Sequence, residues 1–363
     1  MKHRSTAWTL ALTLICGAAQ AAPGLQEVAR IDQGPGNITV TPDGRILLSL
    51  HQFFGPEWRV VELAENGELA PFPDARWAGG DTTETSLDSV LGIQSDSSGR
   101  VWMLDNGMRS GNVPKLVAWE TRTDRLHRVI HLPPPATREG AFVNDLAIDE
   151  AHAAIYIADP ARGEDAALIV VDLETGLARR VLQGHRSVVP EDMDLIIDGR
   201  PVEIRQPDGS TRRPRVGVNP IALDTEAGWL YFGPMHGTSL YRVRTADLLD
   251  GGLDETTLAE RVERYADKPI CDGISIDREG NIYISDIGNN AVGVIDDTRS
   301  YRILAQDRRL SWPDAFSFGP DGKLYTVANQ LHRTAVLNAG EMQAQPPYFV
   351  FRIDPLAPGL PGR

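Results

Sequence analysis

The sequence predicts an all-β fold, a six-bladed β-propeller, on the basis of three observations. Six segments share one pattern: an alternating apolar pair, a turn that usually carries Gly or Asp, and a second β-rich run. The segments begin 55, 53, 75, 53 and 42 residues apart, a spacing typical of propeller blades. The 34 glycines and 25 prolines are spread between the apolar runs, which indicates many short turns.

Each repeat supplies two inner strands of one blade, joined by a hairpin. Period-2 alternation marks the strands, and a glycine marks most of the turns between them. A third strand follows most hairpins, as at residues 59–63 and 115–119. The six repeats span residues 38–48, 93–104, 146–157, 221–232, 274–284 and 316–326.

A strand at residues 25–31 belongs to none of these repeats. The last repeat ends in the apolar run 348–353 and leaves no room for an outer strand of its own. We therefore expect residues 25–31 to complete the sixth blade and close the ring, which covers an otherwise exposed sheet edge. Because a closed ring is one unit, residues 22–363 are predicted to form a single domain.

The 75-residue interval contains an insertion at about residues 190–216. It is interpreted as a hairpin around an Asp198-Gly199 turn, followed by a polar, proline-rich stretch at 207–215. We expect this insertion to be a surface flap beside the exit of the third blade. Short helices are indicated at 245–249 and 258–266.

Residues 1–21 predict a signal peptide rather than a part of the fold. Basic residues at positions 2–4 precede an apolar run from 7 to 16, and Ala19 and Ala21 supply a cleavage site. Cleavage leaves Cys271 as the one cysteine, so the mature chain cannot form an internal disulfide. We expect the Cys271 side chain to be buried. The mature protein is expected to be secreted, into the periplasm or the extracellular medium.

Charge and hydropathy argue against two classes of partner. Lys and Arg number 36 against 50 Asp and Glu, a net charge of −14 that becomes −16 once Lys2 and Arg4 are removed with the signal peptide. A surface this acidic repels phosphate backbones and anionic lipid, so nucleic-acid binding is not expected. No internal stretch approaches the ~20 apolar residues that span a bilayer, so membrane insertion is not expected either. The sequence does not indicate an oligomeric state.

Four consecutive blades place an amide or carboxyl side chain at one structural position, two residues before the aligned apolar pair. The starts of inner strands face the mouth of a propeller's channel, so these side chains are expected to form a site for a small-molecule ligand. Their oxygen atoms can hold a hard cation such as Ca²⁺, or bind an amine or polyol. The residues at this position, from blade one to blade six, are Gly36, Leu91, Asn144, Asn219, Asp272 and Asp314.

Other polar residues lie near the strand ends, where side chains either line the pocket or cap turns. Asn37, His51 and Asn106 are assigned to the ligand site. Both alternatives stay open for a second group, which consists of Asp105, Asp159, His236, Asp286 and Asn329. Aromatic residues at five equivalent mid-strand positions are interpreted as blade packing, namely Trp102, Tyr156, Tyr231, Tyr283 and Tyr325.

Common catalytic motifs are missing from the sequence. It contains no Gly-x-Ser-x-Gly elbow, phosphate-binding loop, His-Glu-x-x-His or Cys-x-x-Cys pair. This argues against the usual triad hydrolase, nucleotide and zinc functions.

Several motifs resemble the major royal jelly/Yellow protein family. They include GRVWMLDNG at 99–107, PKLVAWE at 114–120, VNDLAID at 143–149 and WPDAFSF at 312–318. The resemblance covers most of the mature chain and implies a secreted six-bladed propeller. It also implies amine binding in the channel, dopachrome-type isomerase activity or a nutritive role. The paired cysteines of the insect pattern are missing here, and the family offers no catalytic motif to carry over.

The chain is more distantly similar to gluconolactonase/senescence-marker propellers, which hydrolyse sugar lactones with a channel metal. This similarity implies Asn144, Asn219 and Asp272 as metal ligands. The glutamate that those enzymes use in the first blade is Gly36 here, with Asn37 beside it. Loss of an anionic ligand weakens a divalent site, because ligand charge offsets the desolvation of the cation. Asp314 is the candidate replacement.

Several functions therefore remain open, and the sequence does not decide whether the protein is an enzyme. The first is an exported protein that binds a small polar or amine-type ligand, with Asp272 and Asp314 as counter-ions. The alternatives are a lactonase in which a divalent cation activates water, and a dopachrome-type isomerase with a channel carboxylate as proton carrier. A scaffold that binds protein partners on its faces is the fourth.

Overall fold

Every repeat folds into a four-stranded antiparallel sheet in the computed structural model, which describes residues 24–79, 86–161, 163–226 and 228–363. The first strand of each sheet packs against the first strands of both neighbouring sheets, so six sheets surround one channel. This confirms the predicted six-bladed β-propeller. The predicted signal peptide at 1–21 lies outside the described residues.

The first half of the ring consists of blades one to three, each paired in sequence order from the channel outwards. A preceding strand, β1 (Leu25–Ile31), belongs to the last blade. Blade one contains β2 (Pro35–Val40), β3 (Ile46–Leu50), β4 (Val60–Leu63) and β5 (Leu69–Pro71). Blade two contains β6 (Val90–Ser95), β7 (Arg100–Asp105), β8 (Lys115–Glu120) and β9 (Arg125–His131). Blade three contains β10 (Leu146–Asp149), β11 (Ala154–Asp159), β12 (Ala167–Asp172) and β13 (Ala178–Val181).

Two small hairpins lie between blades three and four, in the segment 190–216 that we call the arm. They consist of β14 (Ile196–Ile197), β15 (Arg200–Pro201), β16 (Ile204–Arg205) and β17 (Thr211–Arg212). The Asp198-Gly199 turn joins the first pair, as the sequence indicated, whereas the second hairpin was not predicted.

The second half of the ring consists of blades four to six. Blade four contains β18 (Val218–Asp224), β19 (Trp229–Pro234), β20 (Ser239–Arg244) and β21 (Glu263–Asp267). Blade five contains β22 (Cys271–Ile276), β23 (Ile282–Asp286), β24 (Ala291–Ile295) and β25 (Tyr301–Gln306). Blade six contains β26 (Pro313–Phe318), β27 (Leu324–Ala328) and β28 (Tyr348–Ile353). As predicted, β1 pairs with β28 and closes the ring.

Helices are short and lie outside the sheets. The α-helices are α1 (Ala75–Gly79), α2 (Thr245–Leu249) and α3 (Glu255–Glu260), and 3₁₀ turns occur at Gln52–Phe54, Gly163–Asp165, Ile287–Asn289 and Leu331–Arg333. The helix predicted at 245–249 is confirmed. The one predicted at 258–266 is wrong in its second half, where β21 pairs with β20 as the outer strand of blade four.

The mid-strand aromatic residues do more than fill the blades. In four blades the ring N–H or O–H donates to an aspartate in the turn between the first two strands, at 2.8–3.3 Å. The same aspartates accept hydrogen bonds from the turn itself, so one carboxylate joins a turn to the middle of its sheet. The pairs are Trp102–Asp96, Tyr156–Asp149, Tyr283–Asp277 and Tyr325–Asp321.

The Tyr283→Phe variant tests this connection. The buried Tyr283 hydroxyl donates to Asp277 at 2.8 Å and accepts from the Leu356 backbone N–H at 2.7 Å, so its loss removes two hydrogen bonds. We expect the free energy of unfolding to fall by roughly 1–3 kcal/mol in urea titrations. Tyr241→Phe is the matched control, since the Tyr241 hydroxyl has no hydrogen-bond partner among the described residues. An equal loss in both variants would contradict the assignment.

The segment 354–363 crosses the channel at the end where the inner strands finish. It pairs with Asp277 of blade five and Phe318 of blade six. Thr39 Oγ1 donates to the Gly362 carbonyl at 3.1 Å, and the Arg363 guanidinium contacts Glu150 at 2.6 Å. Contacts with several blades therefore close this face of the ring, and the channel is accessible from the opposite face.

Candidate functional site

A cavity of about 690 Å³ opens at the face where the inner strands begin. Its wall includes the residues at the strand starts that the repeat singled out. Its roof is the arm, which contributes Leu195, Ile204 and Val216.

Three of the four predicted side chains form a row of hydrogen bonds in this cavity. Asn144 Nδ2 donates to Asn219 Oδ1, and Asn219 Nδ2 donates to Asp272 Oδ1. Trp312 Nε1 donates to the other Asp272 oxygen, Oδ2, at 2.6 Å. Both carboxylate oxygens of Asp272 are thus held in place by N–H donors from neighbouring blades.

Asp314, the fourth predicted residue, lies in the same cavity wall together with a carboxyl that the sequence analysis missed. Asn329 Nδ2 donates to Asp314 Oδ2 at 2.6 Å. The missed residue is Asp145, whose Oδ1 accepts from Asn37 Nδ2 at 2.8 Å. We call Asp145, Asp272 and Asp314 the carboxyl cluster, because the charge of Asp272 acts on the other two.

Irregular strand starts explain why neighbours in sequence share the cavity. The inner strands β2, β6, β18, β22 and β26 each shift register near their first residues. Such bulges re-aim side chains. Blade three has a similar arrangement just before β10, where the Asn144 N–H donates to the Ala158 carbonyl and the Asp145 carbonyl accepts from the Ala158 N–H. In blades one and three, two successive residues line the cavity, Gly36 with Asn37 and Asn144 with Asp145. The residue after each aligned position was therefore the signal that could have found Asp145.

Two glycines allow the inner strands to approach closely enough to form the site. A Cβ atom at Gly92 would lie 2.4 Å from the Asn144 carbonyl oxygen, and one at Gly273 would lie 2.5 Å from the Asp314 carbonyl oxygen. The Gly92 N–H donates to that Asn144 oxygen at 2.8 Å. The absence of a side chain at these positions therefore sets the distance between site residues on adjacent blades.

Burial controls the protonation of the carboxyl cluster. Desolvation, with a smaller contribution from the Asp272 charge, raises the pKa of Asp145 to about 8. Desolvation raises the pKa of Asp272 to about 6, while hydrogen bonds from Trp312 and Asn219 oppose the rise. Burial and the two neighbouring charges hold the pKa of Asp314 well above its ordinary value. Asp272 therefore carries a negative charge near neutral pH.

Two imidazoles in the cavity wall are neutral at neutral pH. Burial lowers the pKa of His51 to about 3, and it is the main cause that lowers the pKa of His236 to about 4. His51 Nδ1 accepts from the Phe53 N–H and His236 Nδ1 from the Val216 N–H, both at 3.2 Å. Each ring therefore carries its proton on Nε2.

The arm is a roof over the channel and not a flap beside the third blade. Its tip reaches blades five and six, where Asp198 accepts from Asn290 Nδ2 at 3.0 Å and Glu203 pairs with Asn338. Leu195, Ile197 and Val202 of the arm pack in one apolar cluster with Trp312, Leu331 and Leu337. This burial holds the polar arm across the mouth, which corrects the predicted position.

Other predicted residues form contacts outside the cavity and do not line its wall. Asn106 is a correction to the assigned site: its Oδ1 accepts from the Met108 N–H at 3.1 Å, its Nδ2 donates to Gln52 at 3.3 Å, and it does not line the cavity. Asp105 pairs with the buried Lys115 at 3.0 Å, and Asp159 pairs with Arg180 at 2.5 Å.

The remaining candidates divide between turn and site. Asp286 accepts from the Asn289 N–H at 3.3 Å and caps the 3₁₀ turn after β23. Asn329 lies behind Asp314 and holds its carboxyl group. His236 lines the cavity, and Cys271 is buried as expected.

The donor set at Asn144, Asn219 and Asp272 does not fit a calcium ion as it is arranged. Three of their four side-chain oxygens accept hydrogen bonds from amide or indole N–H groups, whereas Ca²⁺ requires six to eight converging oxygens. Within the described ranges, no group of three or more His, Cys, Asp or Glu side chains has metal-holding geometry. Calcium binding stays a prediction.

Comparison with known proteins identifies the same family that the sequence motifs resemble. The family model described as major royal jelly protein matches residues 88–351. Major royal jelly protein 2 of Apis mellifera is 25% identical over 237 residues, which cover 62% of this chain and 49% of that protein. Major royal jelly protein 1 of the same species is 23% identical over 247 residues, which cover 64% and 54%. The chain thus spans about half the length of these curated relatives.

Solved structures show the same fold at low identity. A gluconolactonase from Xanthomonas campestris superposes with a TM-score of 0.54 at 14% identity, covering 91% of this chain and 89% of that one. A luciferin-regenerating enzyme gives a TM-score of 0.57 at 11% identity, covering 93% and 97%. In the described part of the chain, no helix has the length and apolar character to cross a bilayer. By its sequence match over nearly three quarters of its length, the chain belongs to the major royal jelly protein family.

Proposed function

We propose that this protein is exported and binds a small amine-type ligand in its channel cavity, with the ammonium group at the carboxyl cluster. The observation that carries the proposal is the clustering of Asp145, Asp272 and Asp314 in one cavity wall. No Lys or Arg in the described ranges forms an ion pair with any of the three. An ammonium ion supplies the missing positive charge.

The rest of the cavity suits an apolar body attached to that ammonium group. Apolar side chains dominate the wall, among them Leu91, Phe142, Met235, Trp312 and Leu331. Met108 also belongs to it and is 51% exposed, which leaves an apolar surface at the mouth. A few polar groups in a largely apolar cavity of this size are typical of small-molecule sites. The family resemblance, which implies amine binding in the channel, supports the same ligand class.

Binding of phenethylamine tests the proposal against a neutral molecule of similar shape, 2-phenylethanol. We expect calorimetric titration at pH 7.5 to give a Kd of about 1–100 μM for the amine and at least tenfold weaker binding of the alcohol. Equal affinities would contradict a role for the carboxyl charge. Lack of binding by both would contradict the proposed ligand class.

The competing proposal is a divalent-cation-dependent lactonase. If the amides of Asn144 and Asn219 were turned around, the Asn219 oxygen would face Asp272 Oδ1, a contact between two acceptors that a cation between them would relieve. Titration with Ca²⁺ therefore accompanies the amine titration. Micromolar Ca²⁺ binding that displaces phenethylamine, together with chelator-sensitive lactone hydrolysis, would favour the lactonase and overturn the amine site.

A further inference from the structure

The arm is a unit that its own contacts hold together. Arg215 pairs with Asp192 and Asp194 at 2.7 and 3.0 Å, and Arg213 also pairs with Asp194. These ion pairs join the beginning of the arm to its end, and the hairpins β14–β15 and β16–β17 lie between them. Because its internal contacts do not depend on the ring, the arm can change position as one body.

Both ends of the arm are attached to one short segment between β19 and β20, residues 236–238, which we call the hinge. The Glu191 N–H donates to the His236 carbonyl at 2.7 Å, and the Glu191 carboxylate accepts from the Thr238 N–H at 3.1 Å. At the other end, the Val216 N–H donates to His236 Nδ1 at 3.2 Å, and the Val216 carbonyl accepts from the His236 N–H at 3.1 Å. Two ends fixed side by side allow the segment between them to turn about that point.

The tip of the arm, residues 196–204, is attached to the ring by polar groups at Asp198 and Glu203. The Asp198 side chain is 46% exposed and accepts from Asn290 Nδ2 at 3.0 Å. The Glu203 N–H donates to the Leu337 carbonyl at 3.2 Å, and the Glu203 carbonyl accepts from the Ala339 N–H at 2.9 Å. Polar contacts at exposed positions contribute little to stability, so the tip is the end of the arm that is released most easily.

The apolar support of the tip includes a strained residue. Trp312 packs in one apolar cluster with Ile197 and Val202 of the tip. Its φ is +57°, a left-handed conformation that is rare for a bulky side chain and persists only where the surrounding contacts impose it. Its Nε1–H donates to Asp272 at 2.6 Å, which fixes the orientation of the indole. Strain of this kind is typical of ligand clamps and switch regions.

We propose that the arm is a lid over the cavity, which turns about the hinge, is released at its tip, and is supported in its closed position by Trp312. The arm residues Leu195, Ile204 and Val216 line the cavity, so a molecule at the carboxyl cluster lies beneath the lid. The inference rests on the proposed function, because the compartment under the lid is the proposed ligand site. The structure shows the closed state, and a less populated open state admits and releases the ligand.

Hydrogen exchange measures opening of the lid without any ligand. The reporter amides are the N–H groups of Glu203 and Ala339, whose hydrogen bonds join the tip to blade six. We expect both to exchange about 2- to 5-fold faster in Asp198→Ala, while the amides of β27 in the same blade keep the wild-type rate. Asp354→Ala is the matched control, since the Asp354 side chain is 54% exposed and pairs with Lys323 on the opposite face. Unchanged reporter amides, or equal acceleration of the β27 amides, would overturn the lid.

The Trp312→Phe variant tests the support of the closed position. It keeps an aromatic ring and removes the N–H that Asp272 accepts, so the ring must be ordered each time the lid closes. We expect the reporter amides to exchange about 3- to 10-fold faster than in the wild type. Trp102→Phe is the matched control, because Trp102 is also 2% exposed and its Nε1–H donates to Asp96 in blade two. Equal exchange of the reporter amides in the two variants would overturn the role of Trp312.

Stopped-flow binding of phenethylamine connects the lid to the cavity. Asp198 does not line the cavity, so we expect Asp198→Ala to raise the association and dissociation rate constants by the same 2- to 5-fold factor and to leave the Kd unchanged. Faster exchange of the reporter amides without faster binding would mean that the arm moves but does not control access, which overturns the lid. If phenethylamine does not bind, the proposed function is wrong, whereas the exchange rates still decide whether the arm opens.

Discussion

The Asp272→Asn variant is expected to bind phenethylamine about 100-fold more weakly than the wild type at pH 7.5, a loss of roughly 3 kcal/mol. Burial raises the pKa of Asp272 to about 6, so its carboxyl group carries a negative charge at this pH. Removal of that charge leaves the ammonium group without its counter-ion. Calorimetric titration measures the loss directly.

An asparagine also cannot reproduce the hydrogen bonds of the Asp272 carboxylate. Both oxygens accept, one from Asn219 Nδ2 and one from Trp312 Nε1, whereas an amide offers one acceptor and one donor. In one of the two contacts, an N–H group of the new amide would therefore face the N–H group of Asn219 or Trp312. Removal of the buried Asp272 charge also removes its desolvation cost, which offsets part of this loss, so we expect the variant to fold.

A charge-matched control separates the local effect from the general acidity of the protein. Asp267, on the outer strand β21, has a side chain that is 83% exposed and pairs with Arg264. Asp267→Asn changes the net charge by the same amount and is expected to alter the affinity less than twofold. If Asp272→Asn bound phenethylamine as tightly as the Asp267→Asn control, the ammonium site would lie elsewhere.

The ring was predictable because its inner strands follow a simple physical rule. Strands such as β7 and β11 are buried on both faces and carry the apolar runs that define the repeat. Outer strands such as β9 expose most of their residues and lack that signal. Residues 258–266 show the result: the sequence favoured one helix, but the edge of β20 requires a partner strand at Glu263–Asp267.

The candidate site was predictable only where the repeat itself defined a position. The register placed Asn144, Asn219, Asp272 and Asp314 at equivalent strand starts, and these side chains lie in one cavity. Asp145 was missed because both Asn144 and Asp145 bond to Ala158 just before β10, which brings two successive residues into the wall.

The roof was not predictable, since its contacts are distant in sequence. The arm residue Asp198 contacts Asn290, 92 positions later, and the polar arm by itself resembles a surface loop. Trp312 was seen only as part of a family motif, although its indole joins the roof cluster to Asp272. Contacts of this kind depend on the closed ring and leave no local pattern in the sequence.

Affinity for a permanently charged ligand is expected to rise about 10- to 100-fold between pH 5.5 and 8.5. Phenethyltrimethylammonium suits this test, because it has no proton to lose. Asp272 ionises near pH 6 and Asp145 near pH 8, so the cavity becomes more negative through this range. His51 and His236 have pKa values of about 3 and 4 and stay neutral, and Arg215 stays positive. A pH-independent Kd would contradict the proposed protonation states.

The same raised pKa values make the free protein less stable as the pH increases. The folded-state pKa of Asp145, about 8, lies above its ordinary value of 3.8, so the folded state binds more protons between these values. The contribution of Asp145 to the free energy of unfolding is therefore fully present below about pH 4 and is lost as the pH rises through 8. The lowered pKa values of the two histidines act in the opposite direction, but only below about pH 6.5.

A comparison with Asp145→Asn between pH 6.5 and 9 isolates Asp145, because the other groups whose pKa values are shifted, among them the buried Lys268, are common to both proteins. An amide at position 145 keeps the acceptor for Asn37 Nδ2 but cannot ionise. We expect the wild type to lose about 1–2 kcal/mol more unfolding free energy than the variant across this range in urea titrations. A saturating amount of the quaternary amine should cancel that difference in the wild type, because its charge replaces the proton that Asp145 gives up. Parallel pH profiles of the two proteins would instead mean that Asp145 is ionised in the free cavity, and that an ammonium ligand displaces no proton from it.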